Sequence, residues 1–226
     1  MTAAQLRPFA EGLWLAEAGE AVVAGFRYPL RMALARLANG GLWAWSPVAL
    51  DDDLRGEIGA LGEVEAIVAP NGLHDLYLRD WAKAWPAAQL YGPDAEALPG
   101  LQRWPETGWP GQIDLAVLRN RITEEAVFFH RPSRTALFCD VIQNFPPGYQ
   151  AGWRGLVARL DLMESGAPAV PRKFRLGFAG RRAEARVAMR QILGWQPERL
   201  VMAHGTVLET GAAPALARAF GWLGDG

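Results

Sequence analysis

Val64 to Ala69 is a near-continuous apolar run, interrupted only by Glu65. A strand that is apolar on both faces has to be covered on both sides, which excludes a half-solvated sheet. The loop Pro70-Asn71-Gly72-Leu73-His74-Asp75 follows, then a helical stretch from Leu76 to Ala84 that Pro86 stops, then the short strand Gln89-Leu90-Tyr91. That β–loop–α–β order builds layered α/β structure.

The segments on either side extend this reading. Gly12–Ala16 and Val22–Phe26 read as two short strands. Met32–Leu37 and Leu42–Trp45 read as a hairpin around Asn39-Gly40-Gly41, so the N-terminal segment is a β-meander. Asp51-Asp52-Asp53 opens a helix to Leu61, where carboxylates cap the first turn and oppose the helix dipole. Residues 98–111, rich in Pro and Gly, read as a loop or lid, and its Trp104 and Trp109 as part of a pocket wall or an oligomer interface in place of core fillers. Ile113–Leu118, Ala126–Phe129 and Thr135–Cys139 are strands. Trp153–Met163, Arg181–Leu193 and Ala212–Trp222 are helices, with a last strand at Leu200–Ala203. The whole chain, residues 1–226, is expected to be one domain.

A net charge of -1 from 23 basic and 24 acidic residues marks neither a nucleic-acid nor an anionic-membrane partner. The one cysteine, Cys139, excludes an intrachain disulfide and a cysteine-based zinc cage, and a reducing, cytoplasmic setting is expected. No apolar run approaches the ~20 residues of a membrane span. The expected partner is a small molecule, and self-association is left open.

The chain has three histidines, and each follows an apolar strand-like run. His74 comes after IVAP and its loop, His130 after VFF, and His204 after VMA; Asp140 follows LFC in the same way. Loops at strand ends assemble ligand sites in α/β folds. Three imidazoles and a carboxylate suit zinc, iron or manganese. Each residue alone reads as a turn former or a satisfied strand end; their shared placement is the signal. Asn71 and Asp75 stand where residues that orient a ligating imidazole would stand. Ser133 and Arg134 occupy the turn between the two apolar runs, placed to form the turn or to meet an anionic substrate.

IVAPNGLHDLYLRDW, FFHRPSRTALFCD and VMAHG, in this order and spacing, resemble the metallo-β-lactamase-like superfamily, and an uncharacterised branch of it in particular. The resemblance implies a four-layer αβ/βα sandwich with the active site along one edge of its two sheets. It implies metal-ligand positions at His130, Asp140 and His204. The first motif departs from the H-x-H-x-D-H of active members. Asn71 stands at its first histidine and Leu76 near its last, and His74 matches a ligand only with a one-residue loop shift. Four ligands, His74, His130, Asp140 and His204, would close a tetrahedron, as in structural sites. Two readings follow. One is a single-metal hydrolase of an ester, amide or phosphoester, with Asp140 as ligand or base. The other is a non-catalytic binding protein of the same fold that holds no metal.

Overall fold

The computed structural model describes residues 5–94 and 96–224. The chain opens with β1 (Arg7–Ala10), β2 (Leu13–Val23), β3 (Phe26–Arg36) and β4 (Leu42–Trp45), each antiparallel to the one before. The two strands expected over residues 12–26 are instead one 11-residue strand and the start of the next. The turn falls at Ala24 and Gly25, both at positive φ, inside the run read as a strand. Val22, Val23 and Phe26 do hold sheet positions, as the last pairs before the turn, and Ala24-Gly25 alone breaks the expected strand.

Helix α1 (Asp52–Leu61) starts where the aspartates put it, and Asp51 Oδ1 accepts the Leu54 N–H at 2.8 Å. β5 (Val64–Val68) is the doubly apolar strand and runs parallel to β4. After α2 (Leu78–Ala84), β6 (Gln89–Gly92) and β7 (Leu101–Arg103) add in parallel, completing a seven-stranded sheet in sequence order. The expected loop therefore holds a strand. Trp104 is buried, with its indole N–H on the Ala69 carbonyl at 2.9 Å, so it latches the end of β5.

The second sheet is β11-β10-β9-β8: β8 (Ile113–Arg119), β9 (Glu124–His130), β10 (Thr135–Phe138) and β11 (Arg199–Met202). β8, β9 and β10 form an antiparallel meander, and β11 returns parallel to β10. Between β10 and β11 come α3 (Gly152–Leu160), α4 (Arg172–Gly177) and α5 (Arg182–Gly194); α6 (Ala212–Phe220) closes the chain. The α4 segment was not foreseen, because its six residues follow a Pro-rich stretch with no helical period to read.

Three apolar layers hold these elements together. Leu54, Ile58, Leu78 and Trp81 seat α1 and α2 on the outer face of the larger sheet. Met189, Ile192, Leu216 and Phe220 seat α5 and α6 on the outer face of the smaller one. Trp43, Val68, Phe128, Leu137 and Val201 fill the space between the sheets. The result is an αβ/βα sandwich; Trp104 and Trp109 pack in its middle layer, and each also borders a surface groove.

Candidate metal centre

β4, β5, β10 and β11 end at one edge of the sandwich, and each ending delivers a polar side chain. Ser46 follows β4, Asn71 and His74 follow β5, Asp140 follows β10 and His204 follows β11. His74 Nε2 and His204 Nε2 lie 3.2 Å apart. His204 Nε2 is 3.2 Å from Asp140 Oδ1, and His74 Nε2 is 3.5 Å from Asp140 Oδ2. The far nitrogen of each ring is held. His74 Nδ1 meets Ser46 Oγ at 2.9 Å, and His204 Nδ1–H donates to the Pro29 carbonyl at 2.8 Å. Ser46 adopts a left-handed backbone, φ 52°, to present that hydroxyl; such strain concentrates at functional sites. The His204 ring also lies between Phe145, stacked at 13°, and the edge of Tyr28.

Two buried groups support Asp140. Asn71 Nδ2 donates to Asp140 Oδ2 at 2.8 Å and to Glu125 Oε2 at 3.3 Å, while its Oδ1 accepts the Leu73 N–H. The amide at this position thus gives both carboxylates a hydrogen-bond donor. Glu125 accepts the main-chain N–H groups of Cys139, Asp140 and Val141 at 2.7–3.0 Å and so fixes the turn that aims Asp140. Burial, with the Asp140 charge beside it, pushes the Glu125 carboxyl up to about 7, although the three N–H groups pull the other way. Burial opposes the charge on Asp140 too, but His74 and His204 outweigh it and hold this carboxyl well below its usual range. Burial would also lower the His74 pKa; the Asp140 charge reverses that and raises it.

Of the four residues expected to converge, three do. His130 pairs in register with Thr135 at the turn between β9 and β10, whereas Asp140 lies past the far end of β10. In an antiparallel hairpin the end of the first strand and the end of the second lie at opposite edges. At about 3.3 Å per residue, the five positions from Thr135 to Asp140 separate them by roughly 15 Å. His130 Nδ1 meets Ser133 Oγ at 2.7 Å, Ser133 Oγ meets Thr135 Oγ1 at 2.7 Å, and burial lowers the imidazole pKa to about 4. Arg134 sits in the same turn, at φ 50°, paired with Glu198. Asp75 is exposed, and its charge contributes to raising the His74 pKa. Sequence reading missed Glu125 and Ser46. The register Phe128↔Leu137, continued three residues, sets Glu125 opposite Asp140, and that signal lay in the hairpin itself.

The donor set fits a metal ion. His204 carries its proton on Nδ1, because Pro29 offers only an acceptor. Its Nε2 lone pair therefore faces a buried carboxylate oxygen, and a cation is needed between them, either a second proton or a metal. Tetrahedral zinc donors at 2.0–2.1 Å stand roughly 3.3 Å apart; the three separations here are 3.2, 3.2 and 3.5 Å. Cys139 Sγ also lies within 4.8 Å of His74 and Asp140 donor atoms. Burial and the neighbouring carboxylates hold its thiol protonated, and it packs in the middle layer, so His204 is the better third donor.

Above the triad is a cavity of about 280 Å³, lined mainly by apolar side chains. No helix among the described residues is long and apolar enough to cross a membrane.

No protein-family model matches the sequence, and no curated protein matches it. Solved structures do match. The chain superposes on DIM-1 metallo-β-lactamase exposed to ceftazidime with a TM-score of 0.62 at 10% identity, covering 99% of each chain. A metallo-β-lactamase from Pontibacter korlensis gives 0.63 at 10% identity, over 98% of this chain and 99% of that one. The metal-soaked Flv1 flavodiiron core from Synechocystis sp. gives 0.63 at 11% identity, over 97% of this chain and 60% of that one. These likenesses give no support to the particular branch that the sequence motifs resemble. They run along the whole length of the chain, and it has the metallo-β-lactamase fold.

Proposed function

We propose that the protein is a single-metal hydrolase, with one zinc, iron or manganese ion held by His74 Nε2, His204 Nε2 and Asp140. The observation that carries this reading is the triangle of buried donors whose far atoms are already anchored. Three protein donors leave a fourth position facing the cavity, as catalytic sites do; with His130 elsewhere, the closed four-ligand arrangement does not arise. An ion there would acidify a bound water and polarise a carbonyl or phosphoryl oxygen. The chain does the remaining work. Ser46 and Pro29 fix the ring orientations, Glu125 and Asn71 fix the carboxylate, and the apolar cavity walls limit water at an ester, amide or phosphoester. Both oxygens of Asp140 face imidazoles, which favours its role as a ligand over that of a free base.

Elemental analysis of untagged protein, after loading with each metal, tests this. About one ion per chain is expected, lost in His204→Ala and retained in His130→Ala, with hydrolysis falling at least ~100-fold in the first variant only. Absence of bound ion after loading with all three metals overturns it. The second reading, a binding protein without metal, draws on the His74–Asp140 ion pair, which satisfies the cluster with protons alone. Metal-dependent turnover of any ester, amide or phosphoester excludes it.

A further inference from the structure

The cavity has three chemical features besides the triad. Its walls are apolar, formed by Leu30, Val48 and Phe174 within and by Val23, Leu73 and Ile122 at the mouth. The mouth residues are 49–61% exposed, so the apolar wall continues outward past the rim. Gln143 lines the cavity and is 1% exposed, with its Nε2 donating to the Asp140 carbonyl at 3.3 Å and its Oε1 buried without a partner. The Nε2 bond fixes which amide atom is which, so the orphan is an acceptor. A buried acceptor left unpaired is costly and calls for an N–H or O–H. The third feature is Lys173, the one lysine or arginine lining the cavity among the described residues. Its ammonium lies 3.2 Å from the Tyr28 hydroxyl and over the Tyr28 and Phe174 rings, with no carboxylate partner among the described residues.

We infer that the cavity binds a lipophilic anion that carries one hydrogen-bond donor, and that N-acyl amino acids are its ligand class. The acyl chain lies along the apolar wall, the carboxylate meets Lys173, and a turn of the Gln143 side chain brings its Oε1 out from behind the cavity wall to accept the amide N–H. At the ~30 Å³ that a water-sized group takes in a liquid, the cavity holds roughly nine heavy atoms, and a longer chain extends over the exposed rim. The assignment of this ligand as substrate rests on the hydrolase reading. Cleavage would break the amide C–N bond, with the hydroxyl of water going to the acyl carbon and protons to the departing amine. A fatty carboxylate and a free amino acid would leave.

Calorimetric titration with four compounds tests the class. N-octanoylglycine carries all three features. N-octanoylsarcosine lacks the N–H, octanoyl ethanolamide lacks the carboxylate, and N-acetylglycine lacks the chain. On the wild-type protein N-octanoylglycine is expected to bind about tenfold tighter than either octanoyl analogue and at least ~100-fold tighter than N-acetylglycine. Lys173→Met is expected to close the gap to the ethanolamide, and Gln143→Met the gap to the sarcosine compound. Equal affinity across the wild-type series, or no binding of N-octanoylglycine, overturns the class whether or not either variant folds. Tight binding without cleavage leaves the ligand class standing and counts against the hydrolase reading. Metal-dependent cleavage of short polar esters with equal affinity across the series does the reverse.

Discussion

Glu125 has no exposed surface and accepts three consecutive main-chain N–H groups. Replacing it with alanine strands all three donors in a dry interior and frees the turn that carries Asp140. We expect Glu125→Ala to cost on the order of 3–5 kcal/mol in urea unfolding, and to weaken metal retention with it. His130 presents the converse case of a buried base with little electrostatic help. Its pKa in the folded chain is about 4, against roughly 6.5 when unfolded. Between those values the unfolded chain takes up a proton that the folded chain refuses, so stability falls as pH drops through that window, by on the order of 3 kcal/mol. Unfolding at pH 7 and pH 4.5 should show a smaller loss in His130→Gln than in the wild type. The two residues also show how far the sequence could be read at this scale. An imidazole after an apolar run is visible in the sequence. Which edge of the sheet it occupies depends on strand direction, and an acid beginning a buried strand looks like an ordinary strand end until it is paired across the hairpin.

β11 and the turn after it set the position of His204. Gly205, at φ 91°, pairs with Asn144, and a Cβ there would overlap the Asn144 carbonyl and the Phe145 nitrogen. Gly205→Ala has neither the space nor the backbone conformation, and should cost on the order of 2–4 kcal/mol. The turn can recover only by moving His204, so metal content per folded chain should fall as well, which calorimetry together with elemental analysis would detect. At this scale the strongly patterned elements were legible. β5 declared itself by its near-continuous apolar run, and α1 by its capping aspartates. The β2–β3 tip was misread because the two-residue turn Ala24-Gly25 lies between apolar strand residues, so the run looks continuous in sequence.

The two sheets share one middle layer, in which Phe128 packs against Trp43 with ring centroids 5.1 Å apart and against Trp109 at 6.2 Å. A cavity there weakens both sheets at once. Phe128→Ala should cost about 3–5 kcal/mol, and tryptophan fluorescence and far-UV circular dichroism should still report one coincident transition. Two separate transitions would mean that the sheets hold themselves together independently. The layer order was legible from the alternation of strand and helix signals. The pairing of the sheets was not, because contacts between residues far apart in the chain leave no local pattern.

Asp140 and His204 follow neighbouring parallel strands, yet α3, α4 and α5 come between them in the chain. During synthesis the larger sheet, Asp140 and the Glu125 scaffold all emerge before the strand that completes the triad. For that interval the nascent chain has a carboxylate and one imidazole at the edge of the sandwich, a pair too sparse to retain an ion firmly. If the proposed ion is bound, its capture would therefore follow the docking of β11, with only α6 left to pack.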